Sequence, residues 1–166
     1  MKDIYTEQLV KRKKGKKHWL LEGVLLAVTL LSIYGAFRYP LLLIFTAILI
    51  AGNIFLYLEL DVEYEYLFVN GEMSIDKIIY KSKRRRICTI AQADMEILAP
   101  YGAGELRQYQ RAHKVDYSSG AISDKTYVMV VSMKGKKKKL FLEPNKTMID
   151  AYARLDPRKV VSDSVR

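Results

Sequence analysis

The sequence predicts an α+β protein: a two-helix transmembrane hairpin followed by a small antiparallel-sheet domain that a C-terminal helix closes. Three observations predict it. Two apolar runs, Leu20 to Phe37 and Tyr39 to Leu58, are separated by little more than Arg38. Beyond them the pattern alternates, with Val62, Tyr64, Tyr66 and Phe68 on one side and Asp61, Glu63 and Glu65 on the other, the period of a half-buried strand. Near the end, Thr147 to Leu155 carries Met148, Ile149, Tyr152 and Leu155 on one helical stripe. The division expected is a basic cytoplasmic arm over residues 1–18, the hairpin over 19–58 and a cytoplasmic domain over 59–166.

The two runs come first. A helix rises about 1.5 Å per residue, so roughly 18 residues cross the hydrocarbon core of a bilayer. The first run is too long for a signal-peptide core, lacks a small-residue cleavage site and is followed directly by the second. Short cytoplasmic segments retain Lys and Arg. Here Lys11, Arg12, Lys13, Lys14, Lys16 and Lys17 precede the first span, while only Arg38 marks the turn. The expected location is the plasma (inner) membrane, crossed twice, with both termini cytoplasmic. Trp19 and Tyr57 then fall at the inner boundary and Tyr39 at the outer one. Antiparallel geometry places Gly23 and Ala27 opposite Ala51 and Ile54, with Ala47 extending a seam of small residues. It also puts Glu22 and Asn53 at similar depth, as an intramembrane polar pair of structural kind.

Charge narrows the partners. Residues 1–18 hold seven Lys or Arg against Asp3 and Glu7, which is half of the net +10; the tail holds the other half, and Glu22 cancels Arg38. Anionic inner-leaflet lipid attracts each such cation near the surface by about 1 kcal/mol. No zinc-finger spacing, recognition helix or RNP-like motif accompanies the charge, so nucleic acid is not an expected partner.

In the domain, Asn70-Gly71 accepts the positive φ angles of a type I′ turn, so Leu60 to Val69 and Glu72 to Tyr80 form a hairpin. If Val69 pairs with Glu72, then Phe68 meets Met73, Tyr66 meets Ile75 and Val62 meets Ile79 on one apolar face. Lys81-Ser82-Lys83 turns into a third strand, Arg84 to Ile90, and a fourth runs from Met95 to Ala99. Thr126 to Met133 and Lys138 to Leu142 make a second hairpin through Lys134 to Lys137. The last helix is capped by Thr147 with Asp150, or by Asn145. The connection from Pro100 to Lys125 reads as a mobile loop shortened by a helix near Glu105 to Ala112, or as a partner-binding loop.

The two spans, the strand pair around Asn70-Gly71, the segment Ile75-Asp76-Lys77-Ile78 with the later Lys83-Arg84-Arg85-Arg86, and the ending from Phe141 to Val160 resemble bacterial membrane-tethered pleckstrin-homology-like domains. The resemblance covers nearly the whole chain and implies architecture rather than activity. Folds of this kind bind lipid headgroups or protein segments, and the fold alone does not choose between them.

Chemistry is sparse. The two histidines, His18 and His113, and the single Cys88 make no metal-ligand spacing, and one cysteine forms no internal disulfide. No cofactor, metal or catalytic residue is expected. Gly102-Ala103-Gly104 lacks the strand-loop-helix context of a nucleotide fingerprint. Asp61, Glu63 and Glu65 fall on a solvated face near Asp76, neutralised by arginines of the third strand. The candidate headgroup contacts are therefore the cations of the arm together with Lys81, Lys83, Arg84, Arg85 and Arg86 at one hairpin and Lys134, Lys136, Lys137, Lys138 and Lys139 at the other. The function expected is a membrane-anchored, non-catalytic binding or scaffold module contacting anionic phospholipid. The alternative is an accessory subunit docked onto a larger membrane protein complex.

Overall fold

The structure, a computed structural model, describes residues 5–161 apart from Lys134. Its elements are β1 (Tyr5–Lys11), α1 (Lys16–Ala36), α2 (Leu42–Glu59), β2 (Val62–Val69), β3 (Glu72–Ile79), β4 (Lys83–Ala91), β5 (Met95–Pro100), β6 (His113–Asp116), β7 (Tyr127–Met133), β8 (Lys136–Leu142) and α3 (Lys146–Leu155). The strands form two four-stranded sheets, ordered β1-β2-β3-β4 and β5-β7-β8-β6. The chain therefore has two helices long and apolar enough to cross a membrane, followed by a sheet domain with a C-terminal helix.

The arm departs most from expectation. Residues 1–18 read as a separate basic segment, yet β1 pairs antiparallel with the whole of β2, from Tyr5 opposite Val69 to Lys11 opposite Glu63. Alternation explains it. Thr6, Gln8 and Val10 turn inward, and Val10 is buried in the main core. The Gln8 amide bridges to the segment before α3, donating to the Glu143 carbonyl at 2.8 Å and accepting from Asn145 N at 2.6 Å. The helical hairpin is thus an insertion between two neighbouring strands of one sheet.

Within the hairpin, the seam is polar rather than small. Glu22, Leu25, Thr29, Ser32 and Ala36 face Leu42, Thr46, Leu49, Asn53 and Leu56, with spacings alternating between three and four as in a left-handed helix pair. Asn53 Nδ2 donates to Thr29 Oγ1 at 2.8 Å, and the Ser32 and Thr46 hydroxyls lie 2.6 Å apart. Polar groups between two apolar helices need partners, and these hydrogen bonds join the faces that meet. Gly23, Ala27, Ala47 and Ala51 are exposed outside the seam, against the sequence expectation.

The β2–β3 register is the one expected, with Val69 opposite Glu72 and Val62 opposite Ile79. Asn70 and Gly71 have φ of 47° and 95°, as a type I′ turn requires. Tyr66, Phe68, Met73, Ile75 and Ile90 meet Leu98, Met129, Leu142 and Met148 in one core, and Tyr152 of α3 sets its ring edge-on to Phe68 at 4.8 Å. Asn145 caps α3, accepting from Met148 N at 2.8 Å. The Pro100 to Lys125 connection is structured: a 3-10 turn over Gly104–Tyr109 buries Leu106, β6 pairs parallel with β8, and Ser118 and Ser119 are buried.

Candidate functional site

Antiparallel pairing gathers the end of β1, the start of β2, the end of β3 and the start of β4 at the place where the hairpin leaves the sheet. Tyr80 N donates to the Asp61 carbonyl at 2.9 Å, which ties the β3–β4 tip to the exit of α2. Tyr80 and Lys81 both have left-handed backbone, φ 52° and 49°, a conformation that side chains bearing Cβ disfavour. Lys81, Lys83 and Arg85 at this tip are exposed and have no ion-pair partner among the described residues.

Arg84 and Arg86 are not available there. A β-bulge at Ile75/Asp76 sets Arg86 opposite Asp76, and Arg84 two residues earlier shares its face. Arg84 Nε donates to Asp76 Oδ2 at 2.7 Å and Arg86 Nε to Asp76 Oδ1 at 3.0 Å, while Arg84 Nη2 lies against Glu65 Oε2. The carboxylates are buried rather than solvated, Glu65 at 4% and Asp76 at 3% exposure. Burial opposes the Asp76 charge, but the Arg86 and Arg84 hydrogen bonds outweigh it and hold the carboxyl below its usual range. Burial raises the Glu65 pKa, helped by a hydrogen bond with Glu7 and by repulsion from Asp76, against the pull of Arg84. Glu7 is held low, first by its bond from Tyr5 and then by that with Glu65.

The arm cations divide similarly. Lys11 pairs with Asp61 at 2.9 Å. Arg12 donates to the Tyr64 hydroxyl at 3.0 Å, the Asp116 carbonyl at 3.1 Å and the Asp116 carboxylate at 3.4 Å. Lys14 meets Glu22 at 2.5 Å and lies 4.4 Å from the Tyr57 ring centroid. Glu22 is thus bound to the arm, and Asn53 to Thr29 and the Leu49 carbonyl, so the expected Glu22–Asn53 pair does not form. A charged donor makes the stronger hydrogen bond, so the Lys14 ammonium is a better partner for the Glu22 carboxyl than the Asn53 amide is. Lys13, Lys16 and Lys17 are exposed.

The second basic hairpin does not present a lysine row. Lys137 bonds Glu96 at 2.8 Å and sits 5.3 Å from the Tyr109 ring centroid, and Lys139 is 8% exposed with its ammonium directed to the Leu106 carbonyl. Lys138 is half-buried, Lys136 is exposed, and Lys134 lies outside the described residues. This tip is at the far end of β8 from Phe141, whose β6 neighbour Asp116 holds Arg12.

Among the described residues, two hollows flank β1. One, of about 840 Å³, lies between β1 and α3 and includes Leu9, Tyr127 and Ile149. The other, of about 320 Å³, lies at the junction with the hairpin and gathers Arg12, Lys13, Lys14, His18 and Lys77. Sequence reading missed Lys77 and His18. The signal for Lys77 was present in the register: Tyr64 faces Lys77, which puts a cation on the face that elsewhere carries Met73 and Ile75. Burial raises the Cys88 pKa, as befits a half-buried strand thiol.

A family model described as a bacterial PH-like domain (DUF6106) matches residues 2–162, a stretch that includes β1 and the hairpin as well as both sheets. No curated protein and no solved structure matches the chain.

Proposed function

The chain belongs to this family of bacterial PH-like domains, and from that premise we propose that it is a membrane-anchored, non-catalytic binding module whose sheet domain faces the anionic inner leaflet. The insertion of the hairpin between β1 and β2 carries the reading. Strands on either side of the two spans pair with each other, which supports placing both on one side of the membrane. The basic arm supports making that side cytoplasmic. Lys16, Lys17, Lys81, Lys83 and Arg85 are exposed at the hairpin end of the domain, where anionic headgroups attract each by about 1 kcal/mol. Tethering holds these cations at high local concentration beside the surface, so weak contacts suffice.

The test uses the full chain in nanodiscs, with a fluorophore on Ser82→Cys in a Cys88→Ser background and a quencher on lipid headgroups. Quenching should be stronger in anionic than in neutral discs and should weaken with salt, because screening shortens the field. Equal quenching in both overturns the headgroup reading. The second reading, docking onto a membrane protein complex, is favoured by the 840 Å³ hollow beside β1. A stable partner recovered with the full chain in mild detergent, and lost on Ile149→Asp, would establish it.

A further inference from the structure

The sheet joins the hairpin through residues 12–15 and 60–61, and the cavity of about 320 Å³ opens between these connections. Its size is at the small end of ligand sites, suited to a phosphate and a short headgroup. The row that crosses the first sheet here runs Val10, Tyr64, Lys77, Arg85, changing from apolar to cationic on the face that elsewhere carries Met73, Ile75 and Ile90. A lysine held half-buried on an inward face loses solvation, and an anion beside it restores what was lost.

The remaining groups are arranged for such an anion. Arg12 is fixed by Tyr64 and Asp116, and Lys14 by Glu22 and Tyr57. Among the described residues Lys13, Lys77 and His18 have no ion-pair partner. Setting Asp116, Glu22 and Glu59 against Arg12, Lys13, Lys14 and Lys77 leaves one positive charge in excess. His18 lies in the first turn of α1 beside Trp19, at the depth where aromatic residues mark the headgroup layer.

Resting on the reading that the domain faces the inner leaflet, we propose that this junction cleft binds the phosphate of an anionic phospholipid headgroup. Lys13 and Lys77 are its principal donors and Arg12 lines its wall. A discrete site differs from diffuse attraction because it depends on particular cations rather than on their number.

The experiment titrates short-chain phosphatidylglycerol and phosphatidic acid into the full chain in neutral detergent, reading Trp19, the only tryptophan, and lipid adducts by native mass spectrometry. A Lys13→Gln/Lys77→Gln variant should lose affinity by about tenfold or more, since each lysine contributes about fivefold near an anionic headgroup. Lys81→Gln/Lys83→Gln, with the same change in charge, should lose less than a third of that effect. Lys13→Arg/Lys77→Arg should bind like the parent, which separates loss of the cation from loss of folding. Inorganic phosphate should compete only weakly. Equal loss in the two Gln variants overturns the cleft and leaves surface attraction standing. Inorganic phosphate binding as tightly as lipid overturns the lipid source. No preference for anionic over zwitterionic lipid in the parent protein overturns both the cleft and the broader reading.

Discussion

Replacing Gln8 by Ala tests whether the arm is a working strand. The substitution deletes both bonds between the Gln8 amide and the segment before α3, at 2.8 Å to the Glu143 carbonyl and 2.6 Å from Asn145 N. At about 0.5 to 1.5 kcal/mol net for each bond, the loss is about 2 kcal/mol, or about thirtyfold in a local opening equilibrium. The register places the β1 amides that face β2 at the even positions, as shown by Arg12 N donating to the Val62 carbonyl at 2.9 Å. Hydrogen exchange on the full chain in detergent should therefore find Thr6, Gln8 and Val10 protected in the parent, and about thirtyfold faster in Gln8→Ala. Amides of β7 should change little, because β1 is an edge strand and can open alone. Exchange of the parent β1 at the rate of an unstructured chain would remove the strand, and an unchanged rate in Gln8→Ala would remove the bridge.

Four further outcomes are expected. Glu65→Gln should raise the melting temperature at pH 8 and not below about pH 4, because a raised folded-state pKa favours the protonated form, a contribution complete in acid and lost as pH rises through the folded value. Asp76→Asn should do the opposite, destabilising at neutral pH with a deficit that closes as pH falls through the depressed Asp76 value; melting curves across pH read both. Tyr152→Phe should be neutral or stabilising by about 1 kcal/mol in chemical denaturation, since the Tyr152 hydroxyl is buried without a hydrogen-bond partner among the described residues. Changing Tyr80-Lys81 to Asn-Gly should stabilise the β3–β4 turn by about 1 to 2 kcal/mol, and a loss of stability would contradict the left-handed backbone found there.

Legibility in the sequence followed the range of the interactions. The β2–β3 register was readable because Asn70-Gly71 dictates a local turn and alternation then fixes the pairing. The two long apolar helices were readable from the length and composition of the runs. By contrast, β1 was hidden because Thr6, Gln8 and Val10 form a short alternation whose partner lies beyond two spans, beside a lysine string that dominates the composition. β6 was hidden for a similar reason: its parallel partner, β8, is distant in sequence. The seam of the hairpin was misjudged because small residues were weighed above Thr29, Ser32, Thr46 and Asn53, although hydrogen bonding has the stronger claim where water is absent. The basic runs were read by count. Only the register shows that Arg84 and Arg86 belong to Asp76, that Lys139 is buried, and that Lys77 stands at the junction.

The inserted hairpin also decides how the sheet domain can be separated from the two apolar helices. A fragment beginning at residue 59 lacks β1, so it loses Val10 from the core, the Gln8 bridge and the pairing along β2. Replacing residues 15–59 by a short Gly-Ser linker keeps all three, because Arg12 and Val62 are already hydrogen-bonded neighbours across the gap. The linker then needs only to close a β-hairpin. The excised chain should melt cooperatively and remain monomeric, whereas the fragment from residue 59 should be less stable by several kcal/mol or aggregate through the exposed edge of β2. Calorimetry and size-exclusion chromatography on the two proteins distinguish the cases. Equal stability would mean that β1 is dispensable and that the anchor is merely appended to the sheet, in which case the junction cleft would lose the wall that holds Arg12 in place.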